Sequence, residues 1–482
     1  MPSEPLPHID LGLLSPVTVG HDLFVSDGFV LNELVRAECA LVAAYVEVGA
    51  APLEVRRDID HVFGLDEKYS HLTGGLEIDR LIAESVGGGN PVIPLVGMLK
   101  AQVTAEHRGW IHRGATSQDI LDTALMMVVR RAMGQVRSSL HIAGHWTRQL
   151  AIAHADDVGA ARTLTQHAVP TTVGARAAAW ARGIERAVAR IDALEYPAQL
   201  GGAGGSLASF VEITGSEERA AALPAAFARA TELDVADAPW HVTRWPITEI
   251  GDAIAQALDA LGKFAGDVAT LSRTEIGEVS EGVGGGSSAM PQKQNPAEAV
   301  LIRSAALRAP QLAATLHLAA SLAVDERPDG AWHAEWPTLR ELVRLALGAT
   351  RHAASLAANL RVDAAAAERN SGLTGGRLVS ERLRGVLVPL IGAERFAELL
   401  AVDGDLAPAL RALPEAAGLD VDALLDPRAY VGLAPWLARG GGAGGAGGTG
   451  GAGGAEPARG AETARDHRDR TGSDANGYGV DE

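Results

Sequence analysis

The sequence predicts a mainly α-helical protein with a central bundle of long helices. Alanine and leucine dominate the apolar residues and only 4% of the chain is aromatic, a composition that favours packed helices over sheet. Several long segments carry apolar residues at three- and four-residue spacing, without the alternation expected of a strand. At 482 residues, 47% of them hydrophobic, the chain has room for roughly three domains.

The sequence pattern of the N-terminal part predicts helices shorter than those of the bundle. A proline-rich start should be irregular, and a helical pattern then begins near Asp27 and ends at Pro52. A second helix or helix pair runs through Leu81, and three glycines followed by Asn90 interrupt it. We assign residues 1–111 to an N-terminal helical domain.

We assign residues 112–360 to the central long-helix bundle. Its expected helices run from Asp119 towards His154, from Ala175 to Ala193, from Thr248 to Ile276, from Ala297 to Leu322 and from Thr338 to Asn359. Helices of this length, separated by breaks, are typical of a bundle. Residues 361–438 predict a small C-terminal helical domain, and the glycine-rich stretch 439–482 predicts a disordered tail.

The overall charge excludes several classes of partner. A net charge of −18 and a pI near 5.3 argue against nucleic acid or an anionic membrane surface, although local cations can still bind a small anionic substrate. The single cysteine, Cys39, excludes an intramolecular disulfide and a cysteine-rich metal site, and no other metal or cofactor motif is evident. Without a signal peptide or a membrane-spanning stretch, a cytoplasmic protein is expected.

The segment between the third and fourth bundle helices, Glu281 to Ala299, reads E-G-V-G-G-G-S-S-A-M-P-Q-K-Q-N-P-A-E-A. Its glycines predict a flexible root and its prolines a stiff tip. Hydroxyls, one cation and free backbone N–H groups suit an anion that develops negative charge during a reaction. A glycine–serine linker is the alternative. A phosphate-binding P-loop is excluded because Gln292 and Gln294 flank Lys293.

Two other segments combine polar residues with helix breaks. Trp110 to Thr123 reads W-I-H-R-G-A-T-S-Q-D-I-L-D-T, in which Thr116 or Ser117 could cap a helix whose first N–H groups bind a carboxylate. Arg162 to Gly174 reads R-T-L-T-Q-H-A-V-P-T-T-V-G. Both segments therefore contain candidate substrate ligands at breaks in long helices.

These three segments resemble the shared blocks of the fumarase/aspartase superfamily, the string G-S-S-x-M-P-x-K-x-N-P being similar to its signature loop, here residues 282–296. G-A-T-S-Q-D-I-x-D-T-A and G-A-W-H-A-E-W are most similar to its 3-carboxy-cis,cis-muconate cycloisomerase branch. The resemblance covers residues 20–440. It implies a three-domain helical homotetramer in which each active site collects the blocks from three subunits.

The resemblance also implies reversible β-elimination, in which a proton leaves the carbon beside a carboxylate. Ser287 takes the place of the family's base, with Ser288 as the competing position, and Lys293 would favour the alkoxide. His112 either contacts substrate or assists proton transfer, with a capping role as the structural alternative. The expected ligands of substrate carboxylates are Asn90, Thr116, Ser117, Gln166, Asn295 and Arg327.

Some of these residues have structural alternatives. Asn90 would then cap the following helix, and Arg327 would form a structural ion pair. His167 is expected to pack or to contact substrate rather than to act in catalysis. His333 and Glu335 are expected in a packed corner between helices.

Two positions depart from the family pattern. Lyases of the superfamily usually have a histidine at the place of Leu164, paired with a glutamate at the place of Val300. That pair normally protonates a leaving amine or activates water. A carboxylate, with a pKa of about 4, can leave or add without a proton. The absence of both members therefore favours a reaction in which a carboxylate is the departing or attacking group.

The sequence thus predicts a cycloisomerase acting on a small tricarboxylate. It would convert 3-carboxy-cis,cis-muconate to 4-carboxymuconolactone, in the protocatechuate branch of the β-ketoadipate pathway, by intramolecular carboxylate addition with Ser287 supplying the proton. One alternative is an adenylosuccinate lyase-like elimination, which calls for both missing residues. The other is a non-catalytic structural relative.

Overall fold

Five long helices that alternate in direction form the centre of the protein. The computed structural model describes residues 10–64, 76–283, 285–286, 290 and 292–441. Each long helix buries an apolar side against its neighbours, as the spacing of alanine and leucine predicts. The mainly α-helical fold expected from the sequence is confirmed.

Four helices precede the bundle: α1 (Asp27–Glu47), α2 (Leu53–Val62), α3 (Ile78–Gly88) and α4 (Val92–Gln102). The first begins where the sequence predicts, because the Ser26 hydroxyl accepts a hydrogen bond from the Phe29 amide at 3.2 Å and caps it. Its buried face packs against the longest bundle helix. The N-terminal helices are therefore attached directly to the bundle.

The bundle and its connections comprise α5 (Ser117–Ala153), β1 (Val158–Thr163), β2 (Gln166–Thr172), α6 (Val173–Asp192), α7 (Ala208–Thr214), α8 (Glu217–Thr231), α9 (Trp245–Leu271), β3 (Val279–Ser280), α10 (Ala297–Ser321) and α11 (Gly330–Asn359). Helix α5 packs on α6 and α11, and α10 packs on α9 and α11. The connections consequently gather at two opposite ends. We call the end where α5 begins the proximal end and the end where α5 finishes the distal end.

The segment that begins at Arg162 is part of a β-hairpin, which the sequence reading does not anticipate. Strand β1 pairs antiparallel with β2, with Val158 opposite Thr172. At the turn, Leu164 and Thr165 have positive φ angles of 48° and 73°. Such turns usually contain asparagine and glycine, so this one carries no recognisable turn signal.

The start of α11 differs from the expectation. The helix begins at Gly330 rather than at Thr338, and Pro337 lies inside it. The sequence reading treats proline as a helix stop, but here the helix continues through it. G-A-W-H-A-E-W therefore forms the first turns of α11 rather than a corner before it. Similarly, α9 ends at Leu271, earlier than expected.

The C-terminal part contains β4 (Arg361–Val362), α12 (Ala364–Ser371), α13 (Ser380–Ile391), α14 (Ala393–Leu400), α15 (Leu406–Arg411), α16 (Val421–Leu425) and α17 (Ala434–Ala438). Strand β4 pairs with β3 at the distal end. One buried cluster extends from Val17 to Leu360, and another from Val379 to Leu424. The domain boundaries at 111, 360 and 438 stay a prediction, and the expected tail from residue 442 onward lies outside the described residues.

No helix in the described part of the chain is both long enough and apolar enough to cross a membrane.

A buried ion cluster stabilises the proximal end. The side chain of Arg244 is only 1% exposed and binds Asp122 on α5 at 2.6 Å and Glu335 on α11 at 2.7 Å. The Trp332 indole also donates to Asp122 at 2.9 Å. Burial raises the pKa of Glu335, against the effect of the guanidinium. Since Arg244 immediately precedes α9, the cluster connects three bundle helices.

Replacing Arg244 with methionine should destabilise the protein strongly. The variant keeps most of the side-chain volume but leaves two buried carboxylates without their cation, which should cost about 3–5 kcal/mol of unfolding free energy. Guanidinium denaturation of Arg244→Met measures the loss. The control is Arg395→Met, which removes an exposed ion pair with Glu415 and should leave the midpoint nearly unchanged. Equal midpoints for the two variants would contradict the assigned role of the cluster.

Candidate active site

The start of α5 is organised by one buried carboxylate, that of Asp119. It accepts hydrogen bonds from the backbone N–H groups of Thr116 at 3.0 Å, Gly201 at 2.8 Å and Gly202 at 3.0 Å. The His241 Nε2 atom lies 2.9 Å from the same carboxylate. A negative charge is also favoured at a helix N-terminus. Asp119 therefore holds the glycine-rich segment 201–205 against the first block.

The glycine segment needs its glycines because neighbouring side chains approach its backbone closely. A Cβ atom on Gly201 would lie 2.8 Å from side-chain atoms of His241 and Pro239. Gly202 has a φ of 74°, in the left-handed region that other residues avoid. A side chain at either of these two positions would therefore be unfavourable.

Arg327, in the connection after α10, joins these two segments. It donates a hydrogen bond to the Thr116 hydroxyl and another, of 2.8 Å, to the carbonyl oxygen of Ala203. Neither partner is a carboxylate, so both contacts leave the positive charge available to an anion. This arrangement differs from the structural ion pair considered as an alternative.

His112 lies just before α5, against helix α1. Its Nδ1 atom is 2.7 Å from the Glu38 Oε1 atom, and the Glu38 side chain is fully buried. The next residue is held by the same helix, since the Tyr45 hydroxyl donates to the Arg113 carbonyl at 2.7 Å. The imidazole therefore contacts a carboxylate instead of capping α5.

Two further predicted ligands sit near this end. Asn90 accepts hydrogen bonds from the backbone N–H groups of Val92 at 3.1 Å and Ile93 at 3.4 Å, so it caps α4. The preceding turn faces His333, because a Cβ atom on Gly89 would lie 3.6 Å from that ring's Nε2 atom. Ser117, the first residue of α5, is half-buried.

The second block lies at the distal end. Arg162 and Arg176 both bind the buried carboxylate of Glu278, which lies just before β3. Burial opposes ionisation there, but hydrogen bonds from Arg162 and Asn370 hold the pKa of Glu278 below its usual value. The hairpin is thereby connected to the root of the signature loop.

Gln166 and His167 lie on strand β2 of this hairpin. Gln166 is exposed, and its amide is 3.5 Å from the Thr165 hydroxyl. His167 is partly buried, and burial together with Arg162 lowers its pKa. Its Nδ1 atom is enclosed and has no hydrogen-bond partner among the described residues.

Two sets of hydrogen bonds join the two ends of the signature loop at its root. Gly285 and Asn295 exchange backbone hydrogen bonds of 3.1 and 3.0 Å. Nearby, the Glu281 carboxylate accepts from the first amides of α10, at 3.2 Å from Glu298 and 2.8 Å from Ala299. Lys293 is exposed. The expected base Ser287 and its competitor Ser288 lie outside the described residues.

The predicted site residues thus fall into two groups within one chain. The proximal group contains Asn90, His112, Thr116, Ser117 and Arg327, and the distal group contains Gln166, Lys293 and Asn295. The 37 residues of α5 separate the groups by about 55 Å at the usual rise per residue.

Sequence reasoning missed four residues that shape the proximal group. The sequence predicts no site role for Glu38, Asp119 or His241, or for the carbonyl oxygen of Ala203. A signal existed for Asp119, because T-x-x-D before an apolar run is a capping-box pattern. Glu38 also stands out as a charged residue in an apolar helical pattern.

Long antiparallel helices with polar segments at both ends define a helical-bundle protein whose candidate site residues lie at the helix ends. A family model described as lyase matches residues 63–310 of the chain. Nitrosuccinate lyase from Streptomyces davaonensis is 44% identical over 453 residues, covering 89% of this chain and 94% of that protein. The 3-carboxy-cis,cis-muconate cycloisomerase of Pseudomonas aeruginosa is 37% identical over 442 residues, covering 86% and 92%.

Solved structures show the same relationship. The 3-carboxy-cis,cis-muconate lactonizing enzyme from Pseudomonas putida matches with a TM-score of 0.77 and 32% identity, covering 86% of this chain and 93% of that chain. The chain therefore belongs to the lyase family of the fumarase/aspartase superfamily, as the sequence predicts.

Asp119→Asn should loosen the proximal end. An amide has one acceptor oxygen and turns its NH₂ group towards backbone donors, so about 2–4 kcal/mol of unfolding free energy should be lost. Chemical denaturation measures this loss, and hydrogen exchange should accelerate at residues 201–205. Asp252→Asn, at an exposed pair with His317, is the control. Unchanged exchange in that glycine segment would show that Asp119 does not hold it.

Proposed function

We propose that this protein is a β-elimination enzyme whose departing group is a weakly basic oxyanion, and that nitrosuccinate is its substrate. The observation that carries the proposal is the replacement of the family's proton-transfer pair by two apolar residues. Leu164 is 96% exposed at the tip of the hairpin, and Val300 is 53% exposed on α10. The 44% identity to a nitrosuccinate lyase supports the choice of substrate.

The chemistry explains why the pair is dispensable. In nitrosuccinate one carbon carries a nitro group and a carboxylate, and the adjacent carbon carries hydrogens and the second carboxylate. Removal of a proton from that adjacent carbon gives an enediolate. Its electron pair then forms the double bond of fumarate while the C–N bond breaks and nitrite departs with its electrons. Nitrite is about as weak a base as a carboxylate, so it leaves without a proton, unlike an amine.

The two groups of site residues suit this substrate. We assign Arg327 and the start of α5, with Thr116 and Ser117, to one carboxylate, because charge and N–H donors converge there. From the distal group, Lys293 and Asn295 would stabilise the enediolate beside the base Ser287. Asn90, Gln166 and His112 are the remaining proposed contacts with substrate.

A second candidate is the conversion of 3-carboxy-cis,cis-muconate to 4-carboxymuconolactone, in the protocatechuate branch of the β-ketoadipate pathway. The similarity of the first block and of the α11 start to the cycloisomerase branch favours it, as does the 37% identity. The attacking group is a carboxylate, which also needs no proton-transfer pair. Nitrosuccinate and this tricarboxylate each present three planar groups with two oxygens, so the same cations could bind either one. An amine-releasing elimination has no such support.

We further propose that the active enzyme is a homotetramer with sites shared between subunits. Helix α10 carries an exposed apolar stripe whose members lie on one helical face, namely Val300, Leu307, Leu318 and Leu322. Exposed apolar surface of this kind marks interaction sites. The separation of the two residue groups along α5 supports assembly as well, because one chain alone cannot bring them together.

The direct test is turnover by the purified protein. With nitrosuccinate, nitrite and fumarate should appear in equal amounts, at a rate well above that of heat-inactivated protein. Ser287→Ala should lower that rate by orders of magnitude. Loss of diene absorbance from 3-carboxy-cis,cis-muconate, without nitrite release, would favour the second candidate. Cleavage of adenylosuccinate would contradict an oxyanion departing group, and inactivity towards all three substrates would favour a structural relative.

A further inference from the structure

The backbone at His112 is held in an unfavourable conformation. Its φ angle is 58°, in the left-handed region that a Cβ atom disfavours. Two residues later the chain has a similar φ of 77° and uses Gly114. Position 112 thus carries an imidazole on a backbone that glycine would adopt without strain. Strain of this kind is typical of functional positions.

The carboxylate that meets His112 is itself in an unfavourable setting. The Glu38 side chain is fully buried. Its Oε1 atom lies 2.7 Å from the His112 Nδ1 atom, whereas its enclosed Oε2 atom has no partner in the part of the chain that the structure describes. A buried carboxylate with few partners is destabilising. Strained backbone and under-satisfied carboxylate thus occur at one contact.

We infer that Glu38 is a positioning residue for His112. The effects on kcat that we expect from this role rest on the proposed function. By accepting a hydrogen bond from Nδ1–H, the carboxylate holds a proton on that nitrogen and fixes the plane of the ring. The other ring nitrogen, Nε2, is then the one that can meet substrate. The His112 side chain is 18% exposed, so the ring is reachable from outside.

A buried glutamate that only stabilises helix α1 provides a comparison for Glu38. Glu33, five positions earlier on α1, is also buried and paired, with Arg36 at 3.7 Å and Arg131 at 3.4 Å. Its enclosed Oε2 atom likewise has no hydrogen-bond partner among the described residues. Neither of its paired arginines is a predicted site residue, so Glu33→Met is the matched control for Glu38→Met.

The kinetic test is a double-mutant cycle with the substrate that the wild type converts. Glu38→Met should lower kcat about 10- to 100-fold, as expected when a residue that orients an imidazole is lost. In a His112→Ala background the same change should alter kcat less than about twofold, because no ring is left to orient. Glu33→Met should lower thermal stability comparably with little change in kcat. Equal losses of kcat with and without His112 would overturn the inference.

Two additions keep the test decisive. If Glu38→Met does not fold, Glu38→Leu, which also removes the acceptor oxygens, replaces it in the same cycle and is judged by the same criterion. Independently of turnover, ¹⁵N spectra of histidine-labelled protein, assigned with His112→Ala, report which ring nitrogen carries a proton. Nδ1 should be protonated in the wild type. An unprotonated Nδ1 would overturn the inference even if the substrate assignment were right, and failure of the substrate assays alone would leave this readout intact.

Discussion

The rigidity of α5 is the constraint on which the candidate site depends. Its 37 residues form one uninterrupted helix, with the first block at its start and the second block just beyond its end. The other bundle helices repeat this separation, since the signature loop and Arg327 lie at opposite ends of α10. Residues proposed for one reaction therefore lie about 55 Å apart along α5 and about 38 Å apart along α10. Symmetric association is the physical means by which such ends can meet.

Buried charged side chains fix the positions of the helix ends and loops at the proximal end. The carboxylate of Asp119 and the cation of Arg244 each satisfy several partners, so both stabilise the positions of helix ends and loops. Among the residues that the structure describes, the carboxylate of Glu38 has His112 as its single hydrogen-bond partner, which is the less favourable arrangement. Glu38 differs from the residues that hold the scaffold because its partner is the imidazole of a proposed site residue.

The helical fold could be predicted from the sequence because long amphipathic patterns report burial directly. The hairpin after α5 could not, since its turn residues Leu164 and Thr165 adopt positive φ angles that their types disfavour. The predicted start of α11 at Thr338 is wrong because Pro337 is accommodated inside the helix. In the site, motif residues such as Thr116 and Arg327 could be proposed from the sequence. Their contact across more than two hundred residues depends on tertiary structure alone.

The most direct test of a shared active site is complementation between two inactive variants. His112→Ala removes a proximal group and Ser287→Ala removes the proposed base. If the two residues come from different subunits, each has an even chance of being intact in a mixed oligomer. Co-refolding equal amounts should therefore restore about a quarter of wild-type activity. Activity no higher than that of either variant alone would show that one chain supplies both residues, and would contradict this account.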